Sequence, residues 1–254
     1  MQIAAGATGI TCAKLGEAEV MAAGGFDDIL IANEIIGEQK FKRLIALAGK
    51  ARICIAVDSV FGAQSLNAAL AQANQTLEVV IEINCGQNRS GVLPGEEALR
   101  LAKEITQLKK LKLRGLMTHG GHAYNENTRD GIERIGREEG RVMVETAELL
   151  RSKGIPVATV SVGSTPAAQY CGSVPGVTEI RPGTYVFYDL TQVDLFALPI
   201  RRLRAFGAGD GHQPPNEKSR GGGRRQKSAD LRPAWQNWQR TCLDRSGRRL
   251  RLDS

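Results

Sequence analysis

The sequence predicts an α/β protein, a (β/α)8 TIM-type barrel whose first strand lies upstream of Met1. Three observations predict it. Short β-branched runs recur at intervals of roughly 20 to 40 residues, each followed by a helical pattern. Several runs are apolar on both faces, as in Ile29-Leu30-Ile31 and Val79-Val80-Ile81, which suits a parallel sheet covered by helices. The polar and glycine-rich clusters fall just after the strands, where barrels of this type keep their chemistry.

The elements follow in order. Gln2–Ala5 reads as the end of a helix. Strands are expected at Ala7–Cys12, Asp28–Ala32, Arg52–Val57, Leu77–Ile83, Lys112–Thr118, Val157–Val162 and Val177–Arg181. Between them, Lys14–Ala23 sets Leu15, Ala18 and Met21 on one face with Glu17 and Glu19 outside it. Gly95–Leu108 and Gly131–Ser152 repeat that spacing and end in basic turns. Short connections between β/α repeats favour a barrel over an open sheet. The count stops at seven where a closed barrel has eight, and the missing strand is expected before the helix-like start.

Composition narrows the class. The 254 residues carry 34 Lys and Arg against 27 Asp and Glu, a net charge of +7. Residues 201–254 alone hold 12 Arg and 2 Lys against 5 acids, so residues 1–200 carry 20 bases and 22 acids. The body is thus weakly acidic, and nucleic acid is not an expected partner. A hydrophobic share of 42% is enough for a core. No apolar run approaches the length of a membrane span, and no signal-peptide pattern opens the chain. Five cysteines at 12, 54, 85, 171 and 242 are scattered and never in CxxC spacing, which points to a reduced, cytoplasmic setting.

Several clusters can carry chemistry. Val162-Gly163-Ser164-Thr165-Pro166 follows a strand and opens a helix, so it reads either as a phosphate site or as a plain N-cap made by Ser164 or Thr165. Thr118-His119-Gly120-Gly121-His122 has two histidines three apart but no third ligand at metal spacing. It reads as a loop that brings backbone and one imidazole close to a ligand, with a structural histidine as the alternative. Tyr124 stacks on or hydrogen-bonds a ligand there, or caps the rim of the core. Arg89 donates to a phenolate, carboxylate or phosphate at the barrel mouth, or pairs with a nearby acid. Asp189 and Glu34 are lone carboxylates on loops. Lys14 follows a strand and is chemically able to form a Schiff base, but its place in Ala13-Lys14-Leu15-Gly16-Glu17 argues for a helix-start or ion-pair role.

Five of these segments resemble a known family. Gly9 to Glu19, Asn88-Arg89-Ser90-Gly91-Val92, Gly115 to His119, Ser161 to Pro166 and Glu179 to Tyr185 look like the D-threonine aldolase and D-serine dehydratase group. These pyridoxal-phosphate enzymes share the alanine-racemase-type barrel. The resemblance runs from Gln2 to about Leu198 and implies a (β/α)8 barrel followed by a β-rich domain. It implies that Gly163, Ser164 and Thr165 hold the pyridoxal 5'-phosphate group, helped by Gly183 and Tyr185. Arg89 then lies near the ring hydroxyl, His119 against the ring and Tyr124 beside the substrate, a small β-hydroxy D-amino acid. Where the group has Asp-Thr-Gly-Met, this chain has Asn84-Cys85-Gly86-Gln87. Ala13 before Lys14 is closer to the aldolase branch than to the dehydratase branch. Relatives of this kind are expected to be homodimers.

The resemblance also implies two further parts. One is a Schiff-base lysine on the first strand, in a segment upstream of Met1. The other is a divalent metal, zinc or manganese, on a C-terminal pair of a His followed two residues later by Asp or Cys. His212 is followed by Gln213 and Pro214, so that pair is absent. The expectation is therefore a pyridoxal-phosphate lyase of D-threonine aldolase type, inactive as this chain. A D-serine dehydratase-like enzyme, an amino-acid racemase, and a cofactor-carrier or RNA-binding protein are the alternatives.

Residues 199–254 break the pattern. From 201 onward there are five Leu, no Ile and no Val, with Gly221-Gly222-Gly223-Arg224-Arg225 and both tryptophans, Trp235 and Trp238. Too little apolar area is available to order a β-domain. A disordered basic tail is expected, produced by a frameshift near residue 200 in preference to an RNA-binding segment. The expected division is a barrel over 1–198 and a tail over 199–254.

Overall fold

Seven parallel strands with helices between them account for residues 10–180 of the computed structural model, which describes residues 2–186, 189–197 and 252–253, the last pair by backbone alone. The strands are β1 (Ile10–Cys12), β2 (Asp28–Glu34), β3 (Arg52–Val57), β4 (Leu77–Ile83), β5 (Leu111–Thr118), β6 (Thr159–Val162) and β7 (Glu179–Ile180). The helices are α1 (Leu15–Ala23), α2 (Glu38–Ala48), α3 (Val60–Gln72), α4 (Glu96–Gln107), α5 (Arg129–Ser152), α6 (Ala168–Cys171) and α7 (Leu190–Asp194). Several begin where a side chain takes up a free backbone amide. Glu17 reaches back to accept the Ala13 amide at 2.8 Å. Ser59 and Thr128 accept amides three residues on, at 3.2 and 3.1 Å.

Every strand pairs in parallel with its neighbour in sequence, from β1 to β7. The two sides of this sheet differ. Ile29, Ile31, Ile53, Ile55, Val79, Ile81, Val160 and Val162 pack outward in one continuous core with the helices. The alternate residues Leu30, Cys54, Ala56, Val80 and Met117 form a second, separate buried cluster. Helices cover only the first side, so the sheet must curl to bury the second. Charge lies on this inner side as well. Arg114 approaches Asp28, Glu78 and Glu179 at 3.7–3.8 Å and donates to Thr159 Oγ1 at 3.2 Å.

The structure corrects three sequence expectations. β1 starts only at Ile10 because the chain before it forms a 3-10 turn at Ile3–Ala5, closed by the Gly6 amide on the Ile3 carbonyl, and the Ala7 amide donates to the Gln2 carbonyl. β6 starts at Thr159 because the Val157 carbonyl accepts Arg151 instead of a neighbouring strand. The third concerns strand count. An additional two-residue strand, β8 (Leu252–Asp253), pairs in parallel with β1, although residues 201–254 are expected to contain none. Backbone pairing over two residues asks for no apolar period, so the sequence carries no sign of it. The strand order runs β7-β6-β5-β4-β3-β2-β1-β8, and among the described residues no ladder joins its two ends. The architecture shown among the described residues is a curled parallel half-barrel with helices outside. The expected boundary at 198/199, His212 and the tail apart from Leu252–Asp253 lie outside the described residues.

Candidate functional site

The loops after β5, β6 and β7 converge at the C-terminal end of the sheet. Thr118 closes β5 by donating its hydroxyl to the Ile83 carbonyl at 2.6 Å, which locks that loop to β4. The next residue, His119, is half-buried and sets Nδ1 3.3 Å from the Gly163 carbonyl. A carbonyl only accepts, so this contact places the imidazole proton on Nδ1 and leaves Nε2 as the basic atom. Burial, followed by the charges of Arg181 and Arg89, pushes His119 down to about 4. At neutral pH the ring is uncharged.

After β6 the chain turns at Gly163, whose φ of +117° no L side chain tolerates well. Ser164 is buried and points its hydroxyl at the Gly120 carbonyl, 3.5 Å away. Thr165 Oγ1 is buried with no hydrogen-bond partner among the described residues. Neither hydroxyl caps a helix, because α6 begins only at Ala168, whose neighbour Ala167 is its N-cap. The plain N-cap reading is thereby removed. A buried hydroxyl without a partner beside a left-handed glycine turn leaves a hydrogen-bonding position open among the described residues.

After β7, Arg181 is buried to 3% exposure. It donates to Ser161 Oγ at 2.7 Å and to the Thr118 carbonyl, tying β7 to β6 and β5. Ser161 in turn donates its hydroxyl to Glu179 Oε1 at 2.6 Å. The following loop carries Gly183 and Tyr185. Tyr185 accepts from Gln2 Nε2 at 2.6 Å, and Tyr124 lies 3.4 Å from Thr184 across the site. Sequence reasoning left Arg181 without a role; its signal is an arginine directly after an apolar strand, where no solvated face exists.

The second missed residue is Glu139. It sits in Arg137-Glu138-Glu139-Gly140-Arg141, which reads as a charged helix surface. The carboxyl is instead 1% exposed and accepts the Gly163 amide at 2.8 Å. The signal was available in Gly136 and Gly140. A Cβ on either would stand 2.8 Å from Tyr170 Cβ or 2.6 Å from Val174, so this helix face lies against protein.

Other expected residues sit apart. Arg89 is 57% exposed by side chain and 3.9 Å from Glu82. Ser90 donates to the same carboxylate at 2.6 Å. Glu34 lies beside Glu82, and burial and that neighbour push it up to about 7. Glu34 and Asp58 border a cavity of about 110 Å³ that includes none of the residues 163–165. Lys14 is 72% exposed and pairs with Glu17 at 3.6 Å. Asp189 caps α7 by accepting the Gln192 amide at 3.2 Å. Among the described residues no group of three or more His, Cys, Asp and Glu side chains is placed to hold a metal. They do not fit the divalent metal that the resemblance implies, and no step is assigned to one. Among them, too, no helix is long and apolar enough to cross a membrane.

Comparison with known proteins identifies the family and the fold. The alanine racemase N-terminal domain family matches residues 1–191. D-Threonine aldolase of Arthrobacter sp is 34% identical over 188 residues, 74% of this chain and 50% of that protein. D-threo-3-Hydroxyaspartate dehydratase of Delftia sp. strain HT23 is 38% identical over 190 residues, again 74% of this chain and 50% of that protein. The crystal structure of D-threonine aldolase from Filomicrobium marinum superposes with a TM-score of 0.71 at 34% identity, covering 76% of this chain and 52% of the other. The chain spans about half the length of the curated relatives it matches.

Proposed function

The chain belongs to the alanine racemase N-terminal domain family, and from that premise we propose that it is the cofactor-binding part of a pyridoxal-phosphate lyase acting on β-hydroxy D-amino acids. The observation that carries the reading is the unpartnered Thr165 hydroxyl beside the Gly163 turn, within reach of a neutral imidazole. Pyridoxal phosphate, when bound, supplies an electron sink for breaking a bond at the substrate's Cα or Cβ.

The chain's own residues set the stage for that chemistry. Thr165 and Ser164 donate hydroxyls to the phosphate, and Gly163 gives the turn that lets backbone approach it. Gly183 and Tyr185 close the seat from the β7 side. His119 presents an uncharged face to the ring and keeps a lone pair on Nε2. Arg89 supplies positive charge at the outer edge, toward the ring hydroxyl, and Tyr124 borders the place where substrate enters. Arg181 touches no reactant; it holds the three loops in one arrangement. Lys14 stays in solvent with Glu17, so we propose that the cofactor is held here without a covalent bond and that this chain alone does not turn substrate over.

Titration with pyridoxal phosphate, followed by absorbance, tests the seat. Thr165→Val is expected to weaken binding about tenfold, with the fold kept. The cofactor-loaded chain is expected to change its spectrum with D-threonine and not with L-threonine. Cofactor binding with no response to either amino acid would favour a carrier role. Glycine or ammonia released from D-threonine, or cofactor trapped on Lys14 by borohydride, would overturn the proposed inactivity, and the product would separate aldolase from dehydratase.

A further inference from the structure

The phosphate seat has a carboxyl group built into its wall. Glu139 enters from α5, and Gly136 and Gly140 bring that helix close enough to reach the loops. Its Oε1 accepts the Gly163 amide at 2.8 Å. Its Oε2 is buried, lies against Gly120, makes no hydrogen bond of ordinary geometry to that amide, and occupies the space that a Cβ on Gly120 would need. One carboxyl thus spans the loop after β5, which carries His119, and the loop after β6, which carries Thr165. Gly163 also hydrogen-bonds His119 through its carbonyl, so both polar ends of this residue are committed.

We propose that Glu139 is the positioning residue of the phosphate seat and that it takes one proton from solvent when a dianion occupies residues 163–165. The inference rests on the phosphate-seat reading above. Oε1 is committed to an amide, which fixes the loop, so the proton goes to Oε2. A buried carboxylate and a dianion at neighbouring positions repel strongly in a medium of low polarity. Neutralising the carboxyl removes that repulsion and leaves the bond to Gly163 intact.

The surrounding groups favour Glu139 as the acceptor. Burial already pushes it up to about 7, against the opposing pull of the Gly163 amide, Arg181 and the Gly120 amide. A modest upward push therefore protonates it at neutral pH. His119, facing the same turn, starts at about 4 and has much further to rise. The remaining titratable neighbours are Cys85 from the loop after β4 and Cys171 from α6. Both thiols are pushed up by burial and by Glu139 itself, so they hold their protons already. Among the described residues, Arg181, from the end of β7, is the fixed positive charge facing the group.

Sulfate is the probe, because it stays dianionic from pH 6 to 8.5 and brings no proton of its own. Calorimetric titration in two buffers of different ionisation enthalpy reads the protons taken up per sulfate bound. The full chain is expected to take up between about half and one proton near pH 7.5. Glu139→Gln is expected to take up none and to bind sulfate at pH 8 several-fold more tightly than the native chain. Infrared difference spectra of the native chain are expected to show a carboxylate band replaced by a protonated carboxyl band on adding sulfate, which needs no variant. Sulfate binding without proton uptake, or equal uptake in Glu139→Gln, would overturn the role of Glu139 alone. Absence of sulfate binding, or binding unaffected by Thr165→Val, would overturn the phosphate seat and the proposal with it.

Discussion

Single residues here titrate in opposite senses, and the directions can be worked out. His119 falls from an ordinary 6.5 to about 4 in the folded chain. A base lowered on folding favours the fold above its unfolded value and withdraws that support as pH drops through its folded value. The native chain is therefore expected to lose stability from pH 6.5 down to about 4 on this account, by on the order of 3 kcal/mol. Glu34 and Glu139 rise from 4.5 to about 7. Acids raised on folding favour the fold below 4.5 and lose that contribution as pH climbs through 7. The two windows overlap with opposite signs, so urea unfolding of native and variant chains at a series of pH values separates them. His119→Asn is expected to remove the contribution that rises with pH between about 4 and 6.5, and Glu139→Gln one that falls with pH between 4.5 and about 7. A His119 ring that titrates near 6.5 by proton NMR would remove the first expectation.

At the scale of elements, close approach decides what substitution is tolerated. Gly136 meets Tyr170 Cβ at 2.8 Å and the Ala167 carbonyl at 3.1 Å, so α5 and α6 touch backbone to backbone. Gly136→Leu is expected to push these helices apart and cost about 3 kcal/mol or more, with weaker pyridoxal phosphate binding because only Pro166 and Ala167 separate Thr165 from α6. Denaturant unfolding and cofactor titration together read the two effects. The elements themselves were largely legible. Ile29-Leu30-Ile31 can be buried on both faces only in a covered parallel strand, and β2 to β5 lie within two residues of their expected ends. The positions of the loops carrying His119, Thr165 and Tyr185 were legible too, since each cluster directly follows a strand that the sequence marks. Glu139 was not, because a glutamate between Glu138 and Gly140 looks the same whether its helix face meets water or a loop. Only the packing of α5 on α6 decides that. β8 was hidden for a different reason, since a two-residue ladder leaves no mark on composition.

Across the whole molecule, the sheet separates two kinds of interior. Its outer side is a continuous apolar core, and removing a fully buried chain from it, as in Leu44→Ala, is expected to cost about 2–5 kcal/mol. Its inner side mixes a small apolar cluster with ion pairs centred on Arg114. Arg114→Met leaves Asp28, Glu78 and Glu179 without that partner and is expected to cost about 3 kcal/mol. Adding Glu179→Gln to that variant is expected to recover part of the loss, and urea unfolding of the single and double variants measures it.

The charged inner side has a consequence for how the strands find one another. β7 is held to β6 by only two ladder pairs, Ser161 with Glu179 and Val162 with Ile180, too few for backbone bonding to choose an alignment. A slip of one residue would turn Ile180 inward and drive Glu179 and Arg181 into hydrocarbon, away from Ser161 and the Thr118 carbonyl. The inward ions thus act as a proofreading device: a misaligned strand meets a penalty that hydrophobic side chains alone, alike on both faces, would never impose.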